Sequence, residues 1–218
     1  MEGIDESFAQ AQWLMPSIVE RALIHQDDSV DPYELLEKLD MSTSERLQAL
    51  QALQSTELIT SVPGILTTDE CNKMIRFIHK QIQNDGIDDV DGCPDWQVNM
   101  KEAKLIKILG SEAVHRLWSI PRMQDPLISI RRVGIFVRLY QRGKRPWMPF
   151  HRDANAWTVN VALNQDYQGG RLLALYGDKL HVVERQAGEA TCHSGSLFHA
   201  VSAITTGTRY SLILFFHE

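Results

Sequence analysis

From Ile130 onward, apolar and other residues alternate at period two. Val133, Ile135, Val137 and Leu139 mark one face of a strand, and comparable stretches recur at Thr158 to Leu163, Arg171 to Tyr176, Leu180 to Glu184 and Tyr210 to Phe216. Tyr176-Gly177-Asp178-Lys179 predicts a hairpin turn, because Gly177 accepts a positive φ. Upstream the spacing changes to three and four. Phe8, Trp13, Leu14 and Ile18 predict a first short amphipathic helix, Tyr33 to Leu39 a second, and Leu47, Leu50 and Leu53 a third. Asp31-Pro32 separates the first two, since proline suits a first helical position. Thr67-Thr68-Asp69-Glu70 has the capping-box arrangement and opens a helix with Cys71, Met74, Ile75, Ile78 and Ile82 on one side. Lys101 to Trp118 returns to helical spacing. The intervening segment, Asn84 to Trp96, holds five aspartates, two glycines and Pro94, and predicts a solvated loop without the liganding pattern of a calcium loop. Helices first and strands afterwards predict an α+β fold, with helices buttressing a sandwich or barrel-like double sheet.

Length and composition set the scale. At 218 residues and 44% hydrophobic, the chain can bury one substantial core, assigned to residues 61–218, behind a helical N-terminal extension at 1–60. That extension has no pattern suited to chemistry. Its apolar faces either pack on the body or form a dimer or partner surface. A net charge of −6 with no long lysine or arginine run argues against nucleic acid as a partner. The acidic start, Met1 to Glu6, is unlike a secretory signal, and no apolar run approaches the roughly 20 residues of a membrane span. The expectation is a soluble intracellular protein, in cytoplasm or nucleus. Cys71, Cys93 and Cys192 are odd in number and widely separated, which predicts free thiols.

The candidate chemistry is concentrated in the strand-rich half. His151-Arg152-Asp153 places an imidazole and a carboxylate at i and i+2, the same face of a strand, with Arg152 pointing away. His199 sits in Gly195-Ser196-Leu197-Phe198-His199, a short apolar strand after a glycine turn, where a buried imidazole needs a partner. Two imidazoles and one carboxylate suit one face of an octahedral Fe(II), leaving positions open. Arg209 enters an otherwise apolar last strand and needs an anion, for which a carboxylate is the best geometric match. Ser211, two residues on, shares its face and offers a further hydrogen bond.

His151-x-Asp153, His199 and Arg209-x-Ser211 resemble the signature of the 2-oxoglutarate and Fe(II)-dependent dioxygenase superfamily. The layout is most similar to the prolyl 4-hydroxylase-like branch: a capped helix with an early cysteine (Thr67 to Cys71), a strand ending in Tyr140, then His-x-Asp, then Gly169-Gly170, then the distal histidine. The resemblance covers roughly residues 60–218. It implies a double-stranded β-helix, or jelly-roll, core with supporting N-terminal helices. It further implies Fe(II) held by His151, Asp153 and His199, with 2-oxoglutarate and O2 as co-substrates and ascorbate as a possible reductant. Arg209 would meet the distal carboxylate, supported by Ser211 and the hydroxyl of Tyr140, with Asn160 and Thr158 lining the pocket. Arginine at 209, where collagen-type prolyl hydroxylases usually carry lysine, weakens the assignment to proline. The implied activity is hydroxylation of an unactivated C–H bond, of a peptidyl residue first, or of a free amino acid or small metabolite. A non-catalytic cupin-type binding module is the alternative of another class, and Arg209 argues against it. Trp147 and Trp157 either wall a substrate pocket or pack in the core. Arg142 and Arg145, in the basic stretch Gln141 to Pro146, belong either to a lid meeting an acidic substrate or to a solvated loop. His181 and His193 are expected to be structural.

Overall fold

The computed structural model describes residues 31–38, 42–81, 86–88, 90, 92 and 94–218. The predicted helix around Phe8 to Ile18, together with Ile82, Asp85, Asp89, Asp91 and Cys93, lies outside these residues.

Two antiparallel sheets face one another. The larger has the order β1 (Thr60–Val62), β11 (Ala190–Ser194), β7 (Trp157–Ala162), β14 (Thr208–His217), β5 (Arg132–Gln141) and β4 (Gln97–Met100). The smaller runs β10 (Lys179–Val183), β9 (Leu172–Tyr176), β12 (Phe198–Val201) and β6 (Met148–His151). Two short pairs complete the sheet structure, β8 (Gln168–Gly169) with β13 (Ile204–Thr206) and β2 (Gly86–Ile87) with β3 (Pro94–Asp95).

Helices cover both outer faces. Alternation sends Ile135, Val137 and Leu139 of β5, Val159 and Val161 of β7, and Leu212, Leu214 and Phe216 of β14 to one side of the larger sheet. There they meet α3 (Thr68–Ile78), α4 (Glu102–Leu109) and α5 (Ser111–Gln124) through Met74, Ile78, Leu105, Leu117 and Ile120. Each such buried side chain contributes roughly 1.5–3 kcal/mol, so this face is the main core. On the smaller sheet, Phe150, Leu173, Leu175 and Phe198 pack under Leu36 of α1 (Pro32–Lys38) and Ala49, Ala52 and Leu53 of α2 (Thr43–Leu53). Within these two helices the apolar faces therefore pack on the body, although Leu47, expected on that face, is exposed. No helix among the described residues is long and apolar enough to cross a membrane.

Local signals explain the element ends. The Thr67–Glu70 capping box forms at the start of α3, and Arg116 of α5 reaches Glu70 at 2.7 Å to lock the two helices together. The helical spacing from Lys101 to Trp118 is divided in two, because Gly110 adopts φ +91 between α4 and α5. The predicted hairpin joins β9 to β10, with Gly177 and Asp178 both at positive φ, the geometry that matches strand twist. The aspartate-rich segment departs from expectation at Asp88, which is buried and sits 2.8 Å from Arg138 and 3.4 Å from Arg145. Arg138 projects inward from β5, and its buried guanidinium draws Asp88 and Asp95 out of solvent.

Candidate metal and anion site

The inner face of the larger sheet carries the residues that alternation keeps out of the core. Tyr140, Arg209, Ser211, Thr158, Asn160, Thr191 and His193 all lie there, by register across β5, β14, β7 and β11. The smaller sheet closes over them and supplies two histidines. His151 at the end of β6 and His199 on β12 are cross-strand partners, their rings 4.3 Å apart.

Asp153 arrives differently from expectation. β6 ends at His151, so a shared strand face does not position the carboxylate. Instead the chain turns, and the Asp153 amide donates to the Gly195 carbonyl at 2.9 Å. Gly195 is required at that contact, since a Cβ there would lie 1.9 Å from the Asn155 carbonyl oxygen. Thr158 Oγ1 donates to Asp153 Oδ2 at 2.5 Å. The carboxylate oxygens then stand 3.5 Å from His151 Nε2 and 3.7 Å from His199 Nε2. One ligand atom from each of the three residues lies within 4.8 Å of the others.

The imidazoles are set for a cation. His151 Nδ1 donates to the Pro149 carbonyl at 2.9 Å and His199 Nδ1 to the Leu197 carbonyl at 3.1 Å, which leaves both Nε2 lone pairs facing Asp153. Burial holds His199 neutral, well below the ordinary imidazole value, against the pull of Asp153. Burial raises the Asp153 carboxyl, while attraction to positive charge on His199 or His151 lowers it below its ordinary value, so beside neutral imidazoles the ionised carboxylate calls for another cation.

Arg209 forms the second half of the site. Its side chain is buried; Nη1 donates to the Gly170 carbonyl at 2.7 Å and Nε to Ser211 Oγ at 3.1 Å. Nη2 is buried with no partner. The Tyr140 ring lies 5.0 Å from the guanidinium carbon. Gly170 permits this approach, because a Cβ there would press on Ile204 and on the Arg209 side chain.

The remaining sequence candidates are distributed unevenly. Thr158 serves Asp153, and the Asn160 side-chain oxygen accepts from Arg185 at 2.8 Å. Trp157 packs against the outer core, while Trp147 is half-buried before β6. Arg142 is exposed, but Arg145, expected in a lid or a solvated loop, is buried and turned inward to Asp88. Desolvating a guanidinium requires an acid, and Asp88 supplies it. Gln141 and Arg145 close the basic stretch as a turn, the Gln141 amide donating to the Arg145 carbonyl at 3.0 Å. Arg152 does point away, over the Phe198 ring. His181 is structural, stacked on Tyr176.

Three residues of the site were not anticipated. His193 stands 4.6 Å from the His199 ring with a buried, unpartnered Nε2. Arg185 reaches the interior from the loop after β10. Glu57 accepts hydrogen bonds from Ser194 at 2.7 Å and Ser196 at 2.5 Å, bracing the turn whose Gly195 and Leu197 carbonyls orient Asp153 and His199. Arg185 and Glu57 each lie in a short polar stretch that reads as surface, and no spacing signal marks them.

No family model matches the chain. A prolyl-4-hydroxylase from Pseudomonas putida superposes with a TM-score of 0.59 at 16% identity, over 78% of this chain and 98% of that one. A Trichoplax adhaerens prolyl hydroxylase in complex with a hypoxia inducible factor peptide gives 0.58 at 15% identity, over 82% and 94%. The chain has the double-stranded β-helix fold of these hydroxylases. In sequence, a 90-residue stretch is 37% identical to the multifunctional procollagen lysine hydroxylase and glycosyltransferase LH3 of Rattus norvegicus. That match covers 39% of this chain and 12% of the curated relative. Within this double-stranded β-helix, the smaller sheet carries His151 and His199, the turn after β6 carries Asp153, and Arg209 projects from the inner face of β14 in the larger sheet.

Proposed function

We propose that this chain is an Fe(II)- and 2-oxoglutarate-dependent dioxygenase that hydroxylates an unactivated C–H bond of a peptidyl residue. The observation that carries this reading is the pairing of a metal-competent His-Asp-His triad with a buried guanidinium whose Nη2 has no partner. His151, Asp153 and His199 would hold Fe(II), since two neutral Nε2 atoms and one ionised carboxylate are the donor set that such an ion takes. With 2-oxoglutarate and O2, the iron supplies oxidation of a C–H bond, releasing succinate and carbon dioxide.

The chain's own residues position and enclose. Arg209 binds the distal carboxylate through Nη2, and Ser211 fixes the plane of the guanidinium by accepting from Nε. Tyr140 walls the same end with its ring. Thr158 holds Asp153 in one rotamer, and the buried inner face keeps water from the anion. The relatives divide over the residue acted upon: the two solved structures described above are named as prolyl hydroxylases and the sequence relatives as procollagen lysine hydroxylases. Both point to a peptide side chain or ring.

The test is an anaerobic titration with Fe(II) and 2-oxoglutarate, followed by succinate release with proline- and lysine-containing peptides and ascorbate as reductant. One peptide class should stimulate succinate release. Arg209→Ala should raise the 2-oxoglutarate requirement by about 100-fold with iron binding retained. Unchanged dependence on 2-oxoglutarate, or normal iron binding by His199→Ala, would remove the reading.

A further inference from the structure

One short turn orients three residues of the metal-competent interior. The segment 194–197, between β11 and β12, offers its carbonyl groups in succession: Ser194 accepts from His193 Nδ1 at 2.8 Å, Gly195 from the Asp153 amide at 2.9 Å, and Leu197 from His199 Nδ1 at 3.1 Å. The turn is also tied to the segment after β6, since the Gly195 amide donates to the Ala156 carbonyl at 2.9 Å. A shift of this turn therefore moves Asp153 and His199 together. Yet the turn reaches the surface, where Ser196 is exposed. Exposed turns stand at the low end of local stability, because water competes for their hydrogen bonds.

Glu57 supplies a fixed point from the far side of the fold. Its carboxylate takes both hydroxyls of the turn, Ser194 Oγ on Oε2 at 2.7 Å and Ser196 Oγ on Oε1 at 2.5 Å. Hydrogen bonds to an ionised acceptor are roughly twice as strong as neutral ones. The segment that carries Glu57 is itself anchored on either side. Upstream, the Leu53 and Ser55 carbonyls accept from the Asp178 and Gly177 amides of the β9–β10 hairpin, at 2.7 and 3.1 Å. Downstream, Thr60 pairs with Cys192 where β1 joins β11. Between these anchors the Glu57 amide donates to Ser55 Oγ at 3.0 Å. We propose that Glu57 is a positioning residue for the metal site: through Ser194 and Ser196 it holds the turn in the conformation that aims Asp153 and His199 at one ion, and so sets the metal affinity. This rests on the reading of His151, Asp153 and His199 as metal ligands. It gives the helical N-terminal segment a part in the chemistry that its own sequence does not announce.

The test reads metal affinity rather than turnover. The metal-free full chain is titrated anaerobically with Fe(II) against a competing chelator, and with Co(II), whose visible absorption reports uptake. E57A should bind both ions about tenfold more weakly, the lower end of what losing a residue behind the metal ligands costs. The S194A/S196A variant should show the same loss, and adding E57A to it should lose nothing more, since the three groups form one link. A merely structural role predicts another pattern: E57A melts lower without metal, but each folded molecule keeps the parent's Fe(II) affinity, and that result overturns the proposal. Losses that multiply in the triple variant overturn it as well, because Glu57 would then act by a path other than the two serines. Should E57A not fold, S194A/S196A removes the same link with residue 57 in place, and undiminished Fe(II) affinity there is equally fatal. The two readings fail separately. Parent-like Fe(II) affinity in E57A, with peptide-stimulated succinate release intact, removes the brace and leaves the proposed function. Weakened Fe(II) binding in E57A, where the parent releases no succinate with any peptide, removes the proposed function and leaves the brace.

Discussion

The two faces of the larger sheet are built from the same strands and do opposite things. On β14, Leu212, Leu214 and Phe216 point outward into a helix-covered apolar core, while Arg209 and Ser211 point inward to a polar interior. The outer face is apolar and fully packed. The inner face leaves Arg209 Nη2 and His193 Nε2 buried without partners. Such orphaned groups cost stability, of the order of 1–3 kcal/mol each, and a fold tolerates them where a ligand completes them. Strand periodicity thus separates stability from chemistry one residue apart.

The largest effect that would sharpen this contrast is on the inner face. Asp153→Ala should abolish metal retention and lower turnover by about 1000-fold or more, and should lower the urea midpoint of the metal-free protein while leaving it folded, because His151, His199 and Thr158 lose their shared buried partner. A variant that fails to fold would break the comparison. On the outer face, Leu212→Ala should cost about 2–5 kcal/mol in urea unfolding while the molecules still folded bind 2-oxoglutarate normally. A large loss of affinity per folded molecule would show that the faces are coupled. Ser211→Ala tests a smaller inner-face term: loss of the Arg209 Nε contact should raise the 2-oxoglutarate requirement about fivefold to tenfold and cost about 1–3 kcal/mol in urea unfolding, because Nε is left buried without an acceptor.

The smallest separation is in pH. Burial holds His193 and His199 below the ordinary imidazole value of 6.5, so below that pH the unfolded chain takes up protons that the folded one refuses. Metal-free protein should therefore lose stability as pH falls through about 6.5. Burial raises the thiols of Cys71 and Cys192 to about 11 and about 12, so the unfolded chain ionises first above the ordinary value of 9.0. Stability should fall again there. Urea midpoints at intervals from pH 5 to 10 read both limbs, and a flat acid limb would contradict the buried imidazoles.

Much of this was legible in the chain because it is written in short-range patterns. Alternation gave the two-faced strands, the Thr67–Glu70 box gave the start of α3, and His-x-Asp with Arg-x-Ser marked the two halves of the site. What was not legible depends on contacts across long separations. The i, i+2 spacing puts Asp153 on a strand face with His151, whereas in the fold Gly195 places it. Asp88 looks solvated until Arg138 arrives from β5. Arg185 sits in a polar stretch, and only its course to Asn160 reveals it as interior. Lys101 to Trp118 reads as one helix because a glycine's φ is not fixed by its neighbours.

The brace from Glu57 has a practical consequence for anyone who shortens this protein. Sequence composition invites a cut at residue 60, between the helical segment and the strand-rich region. Such a cut discards Glu57 together with Leu36 and Leu53, leaving Phe150, Leu173, Leu175 and Phe198 facing water and the turn at 194–196 unbraced. The shortened protein should precipitate and shed its metal together. These would look like two unrelated failures of preparation, and one missing segment would account for both.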